Sequence, residues 1–310
     1  MARQIKRNRK PTRGGRIALR AFAALLLALA LLAGFSALNA TVVRVRRATV
    51  AVEGLPPSFE GKKLLFAADI DLCGLNTAEK SAALFRSLQA LEPDILLLGG
   101  DYTSTSVFDA LNGANGRVSG AEKRLRAQTD FFHYISGFSA PLGKYAIAAP
   151  EDAEPEALAA LMRQSGVEPL FNGRAELRLG GDALWIAGVS AESGLGSLGG
   201  SFRRDDCVIA AAWGPAAFPA MVTSEAADGG RWCDLVLSGH THGGQIRLFG
   251  RSVLSLSRLE RQHMQGWMTE NGVPFLVSSG VGCEGANLRL GSAAEVWLLT
   301  LTAKAAREPG

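Results

Sequence analysis

The sequence predicts an α/β fold in which sheets pack together and helices cover them. Two observations carry this prediction. Apolar runs of strand length alternate with helical patterns, and the connections change from helices in the first half to direct strand-to-strand links in the second. Apolar residues make up 47% of the chain and charged residues 20%, which is typical of a globular protein with an ample core. No long linker or internal repeat divides residues 48–302, so we predict one domain there.

The periodicity of apolar residues predicts each element in order. In the first half, we predict strands over 63–68, 95–98 and 144–148 and helices over 77–91, 121–137 and 154–165. In the second half, Gly180-Gly-Asp182 predicts a hairpin turn between strands at 176–179 and 184–188. Further strands are predicted over 207–211, 235–238, 275–278 and 295–302.

Residues 21–43 carry no charge and are mostly Ala and Leu, which predicts a transmembrane helix. A helix of that length spans about 34 Å, enough for a bilayer core of about 30 Å. Residues 1–20 form a basic tail with eight positive side chains, and Arg44, Arg46 and Arg47 follow the span. This imbalance predicts a cytoplasmic tail and an extracytoplasmic domain at the cell membrane. We favour an uncleaved signal anchor; the alternative is a signal peptide cleaved after Ser36.

The formal net charge of +4 comes from the basic tail, since removing its eight positive charges leaves the remainder at −4. No nucleic-acid partner is therefore expected. The four cysteines are widely spaced and form no Cys-x-x-Cys pair, which argues against a structural zinc knuckle. An extracytoplasmic domain would permit disulfides, but the spacing does not pair the cysteines.

Three of the predicted strands are followed by residues of the types that commonly bind metals. The first leads into Asp69 and Asp71, the second ends at Asp101, and the third runs into His240 and His242, two of the four histidines in the chain. Strand ends deliver such ligands from a rigid sheet to one edge. These five residues therefore predict a metal site.

These motifs resemble those of the calcineurin-like metallophosphoesterases, in particular their bacterial membrane-anchored branch. The resemblance covers residues 48–302 and rests on Asp69-Ile-Asp71, Gly100-Asp101 and Gly239-His-Thr-His-Gly-Gly-Gln245, with further likeness in 143–147, 277–282 and 288–295. It implies a four-layer αββα sandwich with two metals at the strand ends. Two cations neutralise the phosphate oxygens and activate water, so the implied activity is hydrolysis of a phosphoester or pyrophosphate.

The resemblance implies roles residue by residue. Asp69 would bind the first metal, Asp101 would bridge both metals, His240 would bind the second and His242 the first. Asp71 stands where the family pattern has a histidine. Its carboxylate is able to bind a cation of harder character, nearer to Mg or Mn than to Zn; the alternative is a solvated loop acid.

Three residues of the family pattern are missing. Ala149-Pro150-Glu151-Asp152 replaces Gly-Asn-His-Asp, which removes an Asn ligand and a general-acid His, and Trp213 replaces the lone His of the second metal. Glu151 is a candidate substitute acid or, equally, an ordinary acid before a helix. Placement of His263, Cys73 or Glu151 beside His240 would favour a rebuilt hydrolytic site, whereas Trp213 filling the second-metal position would favour a non-catalytic protein.

The ligand count predicts one divalent ion (Mn, Mg, Fe or Zn) more readily than two. The first site keeps Asp69, Asp71, Asp101 and His242, whereas the second keeps only Asp101 and His240. We therefore expect a membrane-anchored metallophosphoesterase-type protein of impaired activity, acting on a phosphorylated small molecule or on a lipid or envelope substrate. The alternative is a non-catalytic relative that binds a phosphorylated ligand or a partner protein at the membrane. A third hypothesis is a structural module whose metal holds the strand ends.

Overall fold

The structure is a computed structural model of the 310-residue chain, and it describes residues 13–74, 76–104, 120–150, 152, 155–190, 195–253 and 256–304. The helices are α1 (Arg13–Thr41), α2 (Ala78–Leu88), α3 (Gly120–Ser136), α4 (Pro155–Gln164), α5 (Leu195–Gly199), α6 (Phe218–Thr223) and α7 (Arg258–Gln262). The strands are β1 (Arg44–Val52), β2 (Lys63–Ala67), β3 (Ile95–Leu98), β4 (Lys144–Ala146), β5 (Glu168–Pro169), β6 (Gly173–Leu179), β7 (Asp182–Val189), β8 (Val208–Ala212), β9 (Leu235–Ser238), β10 (Arg247–Leu248), β11 (Arg251–Ser252), β12 (Gly266–Glu270), β13 (Val273–Val277) and β14 (Glu295–Ala303).

Two six-stranded sheets form the centre of the domain. The first has the strand order β1-β14-β2-β3-β4-β5 and is parallel except where β14 pairs with β2. The second has the order β12-β13-β9-β8-β7-β6, with a parallel centre from β13 to β7 and antiparallel strands at both edges. Strands β2, β3, β8 and β9 lie inside the sheets, where their carboxyl ends are able to meet at one edge.

The layer order is helix, sheet, sheet, helix. Alternate residues of β2 point to opposite faces, so Leu64 and Phe66 join the core between the sheets while Leu65 packs under the helices. Helices α2, α3 and α4 cover the first sheet, and α5 and α6 cover the second. Because both faces of each sheet are covered, the central strands read as continuous apolar runs. This mixed α/β architecture agrees with the αββα sandwich that the resemblance implies.

The predicted elements of the domain are all present, with ends that differ by up to three residues. Strand β1 was missed, because its three arginines look like the polar flank of a membrane helix. Only Val50 and Val52 of β1 are buried, so the strand has no continuous apolar pattern. It pairs in parallel with β14 along its whole length.

Helix α1 has the length and composition to cross a membrane, a test that signal sequences also pass. Most of its large apolar side chains are exposed, which excludes a role as a buried core helix in this structure. Only Ser36 and Ala40 are buried, at its last turns. There the carbonyl of Ser36 accepts a hydrogen bond from the amide of Arg289 at 2.9 Å, so the end of α1 contacts the domain directly.

The aromatic cluster under α3 gives a test of this packing. Phe131 is fully buried, and its ring centroid lies 5.6 Å from that of Phe85 and 5.3 Å from that of Phe132. We expect Phe131→Ala to lower the free energy of unfolding by about 3–5 kcal/mol, because it leaves a cavity in the core. The control is Leu125→Ala on the same helix, where Leu125 is 40% exposed. Chemical denaturation of both variants measures the difference, and equal losses would contradict the layer assignment.

Candidate metal centre

The predicted ligands follow the carboxyl ends of three strands. Asp69 and Asp71 follow β2, Asp101 follows β3, and His240 and His242 follow β9. All five have positive φ angles, between 49° and 72°. Non-glycine residues rarely adopt this left-handed conformation, which costs on the order of 1–3 kcal/mol each and is concentrated at functional sites.

Asp71, Asp101 and His242 bring three donor atoms within 4.8 Å of one another. Asp71 and His242 are buried and Asp101 is half-buried. His242 Nδ1 lies 3.6 Å from Asp71 Oδ2. The three side chains line a cavity of about 480 Å³ that also reaches His240. This group is therefore a possible metal-ligand cluster on the wall of an accessible cavity.

Asp69 stands behind this cluster and is not one of its three members. Its Oδ1 accepts a hydrogen bond from the amide of His240 at 2.8 Å, which ties the end of β2 to the end of β9. Gly239 and Gly280 lie so close to the side chain of Asp69 that a Cβ at either glycine would overlap with it. The role of Asp69 as a metal ligand stays a prediction; its contacts position His240.

Burial raises the pKa of two acids of the site and lowers the pKa of one histidine. Desolvation raises the pKa of Asp69 to about 6. It also raises the pKa of Asp71 well above its usual value, with a further increase from the negative charges of Asp101 and Asp69. The pKa of His242 falls well below its usual value because of desolvation and the nearby charge of Arg289. His242 is therefore neutral, as a metal ligand must be.

The donor set fits a divalent cation. Asp71 Oδ2 is buried and has no hydrogen-bond partner among the described residues, which is costly for a carboxylate unless a cation compensates. Two carboxylates and one neutral imidazole suit Mn, Mg, Fe or Zn, and the oxygen-rich character favours the harder ions. The chemistry of the residues thus agrees with the metal dependence that the resemblance implies.

Asp152 holds the loop that carries Asp101. Its carboxylate accepts hydrogen bonds from the amides of Asp101 at 3.1 Å, Tyr102 at 2.8 Å and Ala149 at 2.8 Å. Gln128 of α3 donates to the same carboxylate at 3.3 Å. Asp152 therefore links the loops after β3 and β4 and sets the backbone of the candidate bridging ligand.

Arg289 holds the loop that carries His240 and His242 through hydrogen bonds to backbone carbonyls. The side chain is fully buried, and its guanidinium donates to the carbonyl oxygens of Ser279 and Gly282 at 2.6 Å and to that of His242 at 3.2 Å. Its Nη2 also lies 3.5 Å from His242 Nδ1. A planar guanidinium offers five N–H donors in a fixed geometry, more than the three donors of a lysine ammonium. Arg289 therefore joins the loops after β9 and β13.

His240, the expected ligand of a second metal, has different surroundings from the three-residue cluster. His240 Nε2 lies 3.2 Å from Glu260 Oε1, and the indole of Trp213 packs on the imidazole with ring centroids 4.0 Å apart. Glu260 is held by a capping box with Ser257 at the start of α7. A cavity of about 240 Å³ opens beside these residues, between Pro150 and Ala217.

Two of the other candidates for a missing ligand, His263 and Cys73, are described, and each has contacts with other residues. The ring centroid of His263 is 5.5 Å from that of Phe275, and its Nδ1 lies 3.0 Å from the carbonyl of Leu259. Cys73 Sγ donates to the carbonyl of Cys283 at 3.8 Å. Glu151, the candidate substitute acid, lies outside the described residues. None of these residues is shown beside His240.

Comparisons with known proteins agree with the predicted family. The chain is 26% identical over 287 residues to an uncharacterized metallophosphoesterase of Aquifex aeolicus (strain VF5), a match that covers 88% of this chain and 97% of that protein. It is 40% identical over 65 residues to the uncharacterized metallophosphoesterase YkoQ of Bacillus subtilis (strain 168), or 20% of this chain and 24% of that protein. No family model matches the chain. The names of the two relatives support the metallophosphoesterase resemblance.

A solved structure with some likeness is that of Phosphopantetheinyl Hydrolase (PptH) from Mycobacterium tuberculosis. It is 10% identical to this chain with a TM-score of 0.35, and the match covers 73% of this chain and 91% of that one. A likeness of this degree carries no conclusion about activity.

Sequence reasoning missed three supporting residues: Asp152, Glu260 and Arg289. Each had a visible signal. Ser257-Arg-Leu-Glu260 is a capping-box pattern, Arg289 lies in a segment that resembles the family, and Asp152 keeps the acid of the replaced motif. Their roles depend on contacts between loops that are distant in the chain, so the signals alone did not reveal them.

The pKa of Asp69 predicts how pH acts on the metal-free protein. A carboxyl whose pKa is raised on folding stabilises the fold below its unfolded pKa, near 4, and loses that contribution as the pH rises through about 6. We expect the stability of Asp69→Asn, which stays neutral, to rise relative to that of the natural chain as the pH goes from about 4 to about 6, and the difference to stay constant above that. Thermal unfolding in detergent with EDTA measures this. A stability difference that does not change with pH would contradict the shift.

The contacts of Arg289 predict that a lysine is unable to replace it. We expect Arg289→Lys to lower the free energy of unfolding by at least about 2 kcal/mol, because buried carbonyl oxygens lose their donors. Metal affinity should fall about tenfold or more, as is typical when support for a ligand is removed. Arg251→Lys, at an exposed position on β11, is the matched control. Unfolding curves and metal titrations measure both effects, and unchanged values for Arg289→Lys would contradict the proposed support.

Proposed function

We propose that this chain is a membrane-anchored, metal-dependent phosphoester hydrolase in which Asp71, Asp101 and His242 hold one divalent ion. One observation carries the proposal: these three side chains bring their donor atoms within 4.8 Å of one another on the wall of a cavity. The metallophosphoesterase names of the relatives support the same activity. The substrate would be a phosphoester or a pyrophosphate.

A divalent ion in this cluster would neutralise the phosphate oxygens and activate water for attack. The residues of the chain prepare the site. Asp71 and His242 offer desolvated donors, and Asp152 fixes the backbone of Asp101 so that its half-buried carboxylate lines the cavity. A leaving group would depart without a general-acid imidazole from the replaced motif, and such groups typically contribute about 10²–10⁴-fold in rate. We therefore propose slow turnover with poor leaving groups.

The proposed membrane location rests on α1 and its flanking charges. The helix is long and apolar, and most of it is exposed outside the domain. The basic tail before it favours a cytoplasmic N-terminus, which would leave the metal site on the other side of the cell membrane. The buried contacts at Ser36 and Ala40 would hold the domain close to the membrane surface.

A second candidate function is non-catalytic binding of a phosphorylated ligand or partner. The observation that favours it lies in the second half of the site, where Trp213 packs on His240 and Glu260 pairs with it. A single metal would still attract phosphate in this arrangement. The two functions share the metal cluster and differ in whether the phosphoester bond is cleaved.

The test is metal content together with turnover in the full chain in detergent. We expect about one Mn²⁺ per chain and slow, Mn²⁺-dependent hydrolysis of bis(p-nitrophenyl) phosphate, a diester with a good leaving group. Asp101→Asn should lose both, because it replaces an anionic donor of the cluster with a neutral amide oxygen that holds a divalent cation much more weakly. The control is Asp130→Asn, which removes the same charge from an exposed position on α3.

The outcomes separate the two functions. Metal binding with turnover that is lost in Asp101→Asn supports the hydrolase. Stoichiometric metal and phosphate binding without turnover supports the non-catalytic protein. Absence of stoichiometric metal from the folded chain would overturn the metal cluster and the proposal with it.

A further inference from the structure

We propose that the substrate is an amphiphilic phosphoester, whose phosphate contacts Arg124 in the metal cavity and whose apolar chain lies in a groove that leads to the end of α1. The inference rests on the proposed function and names its substrate class. Three cavities carry it. Each cavity shares lining residues with the next one. Together they would form a path from the metal cluster to the end of α1.

Arg124 is the cationic side chain of the metal cavity. Within the described parts of the chain it is the only Lys or Arg that lines this cavity, where it faces four carboxylates, those of Asp71, Asp101, Asp152 and Glu284. It is half-buried on α3, and none of the carboxylates described in the structure lies within ion-pair distance of it. A phosphate entering this acidic cavity needs positive charge beyond that of one metal ion, and a guanidinium supplies it with fixed geometry.

A second cavity continues from Arg124, away from the metal cluster. It has a volume of about 450 Å³ and shares Ser104 and Arg124 with the metal cavity. It lies between the start of α2 and α3, and its lining combines the apolar Leu72, Ala78 and Ala127 with the charged Glu79, Lys123, Arg126 and Asp130. Most of the exposed surface of this cavity is nevertheless apolar, so an alkyl or acyl substituent on the phosphate would remove apolar surface from water there.

A third cavity extends the groove to the end of α1. It has a volume of about 220 Å³ and shares Asn76 with the second cavity. Its lining includes Ala40 at the end of α1, Val43 after it, and Leu84 of α2. The groove thus ends where the proposed membrane anchor enters the domain. An amphiphile held in this groove would have its phosphate at the metal and its chain directed toward the bilayer.

The test measures how affinity depends on chain length. The full chain in zwitterionic nanodiscs with Mn²⁺ is titrated with inorganic phosphate and with ethyl, butyl and hexyl phosphate, and empty nanodiscs correct for partitioning. Each CH₂ removed from water strengthens binding by up to about fourfold. We therefore expect the Kd to fall at least tenfold from ethyl to hexyl phosphate.

Variants locate the phosphate and the chain. Arg124→Gln should weaken binding of every phosphate at least tenfold, because a charged hydrogen bond is lost; Arg86→Gln, on the exposed face of α2, should leave all affinities unchanged. Ala127→Trp fills the second cavity and should abolish the gain with chain length while inorganic phosphate still binds. Ala127→Leu, a smaller change, should reduce the gain partly. Binding of inorganic phosphate shows that both Ala127 variants are folded, and an unchanged far-UV circular dichroism spectrum and Mn²⁺ content show it for Arg124→Gln.

Each outcome decides a separate question. If inorganic phosphate binds with Mn²⁺ and is lost in Asp101→Asn, but chain length has no effect, the amphiphile inference is wrong and the proposed function stands. If hexyl phosphate keeps its advantage in Ala127→Trp, the groove is wrongly assigned. If no phosphate binds in the presence of Mn²⁺, both the inference and the proposed function are overturned.

Discussion

The desolvation of two neighbouring acids is the constraint on which the rest of the site depends. Asp69 and Asp71 are buried at the junction of the two sheets, and one oxygen of each has no hydrogen-bond partner among the described residues. Burial raises the pKa of both carboxyls because removing an anion from water is costly, and the nearby charge of Arg289 offsets this cost only in part. A cation bound at Asp71, Asp101 and His242 would relieve that cost. The positive φ angles of the three loops hold the donor atoms around the position of such a cation, and Gly239 and Gly280 make room for the carboxylate of Asp69.

The two halves of the site differ in character. On one side, three donors converge beneath a cavity and His242 is kept neutral. On the other, His240 is occupied by Glu260 and covered by Trp213. The missing Asn and His of the family pattern would have belonged to this second side. The chain therefore keeps the half that is able to hold a cation and has rebuilt the half that would share it. This asymmetry is the observation behind the proposal of a single metal ion.

The support of the metal cluster is continuous with the end of α1. The amide of Arg289 donates to Ser36 of α1, while its guanidinium holds the carbonyl of His242 and those of the loop after β13. The groove proposed for an apolar chain ends beside the same turn of α1. Helix α1, the buried Arg289 and the loop that carries His242 thus form one connected structure. Such an arrangement would present the acidic cavity at a defined height above the bilayer.

The sequence by itself determined the α/β class, the three longer helices and the central strands of the domain, and the residues at the strand ends. It did so because apolar periodicity reports burial locally, and because the carboxyl ends of parallel strands meet at one edge. It did not reveal β1, whose arginines hide its pairing with β14, or the positions of Asp152, Glu260 and Arg289. Only the tertiary structure decided that Asp71 and not Asp69 joins Asp101 and His242 in the cluster. The physical reason is that desolvation, loop-to-loop hydrogen bonds and shared cavities arise between segments far apart in the chain, and no local pattern encodes them.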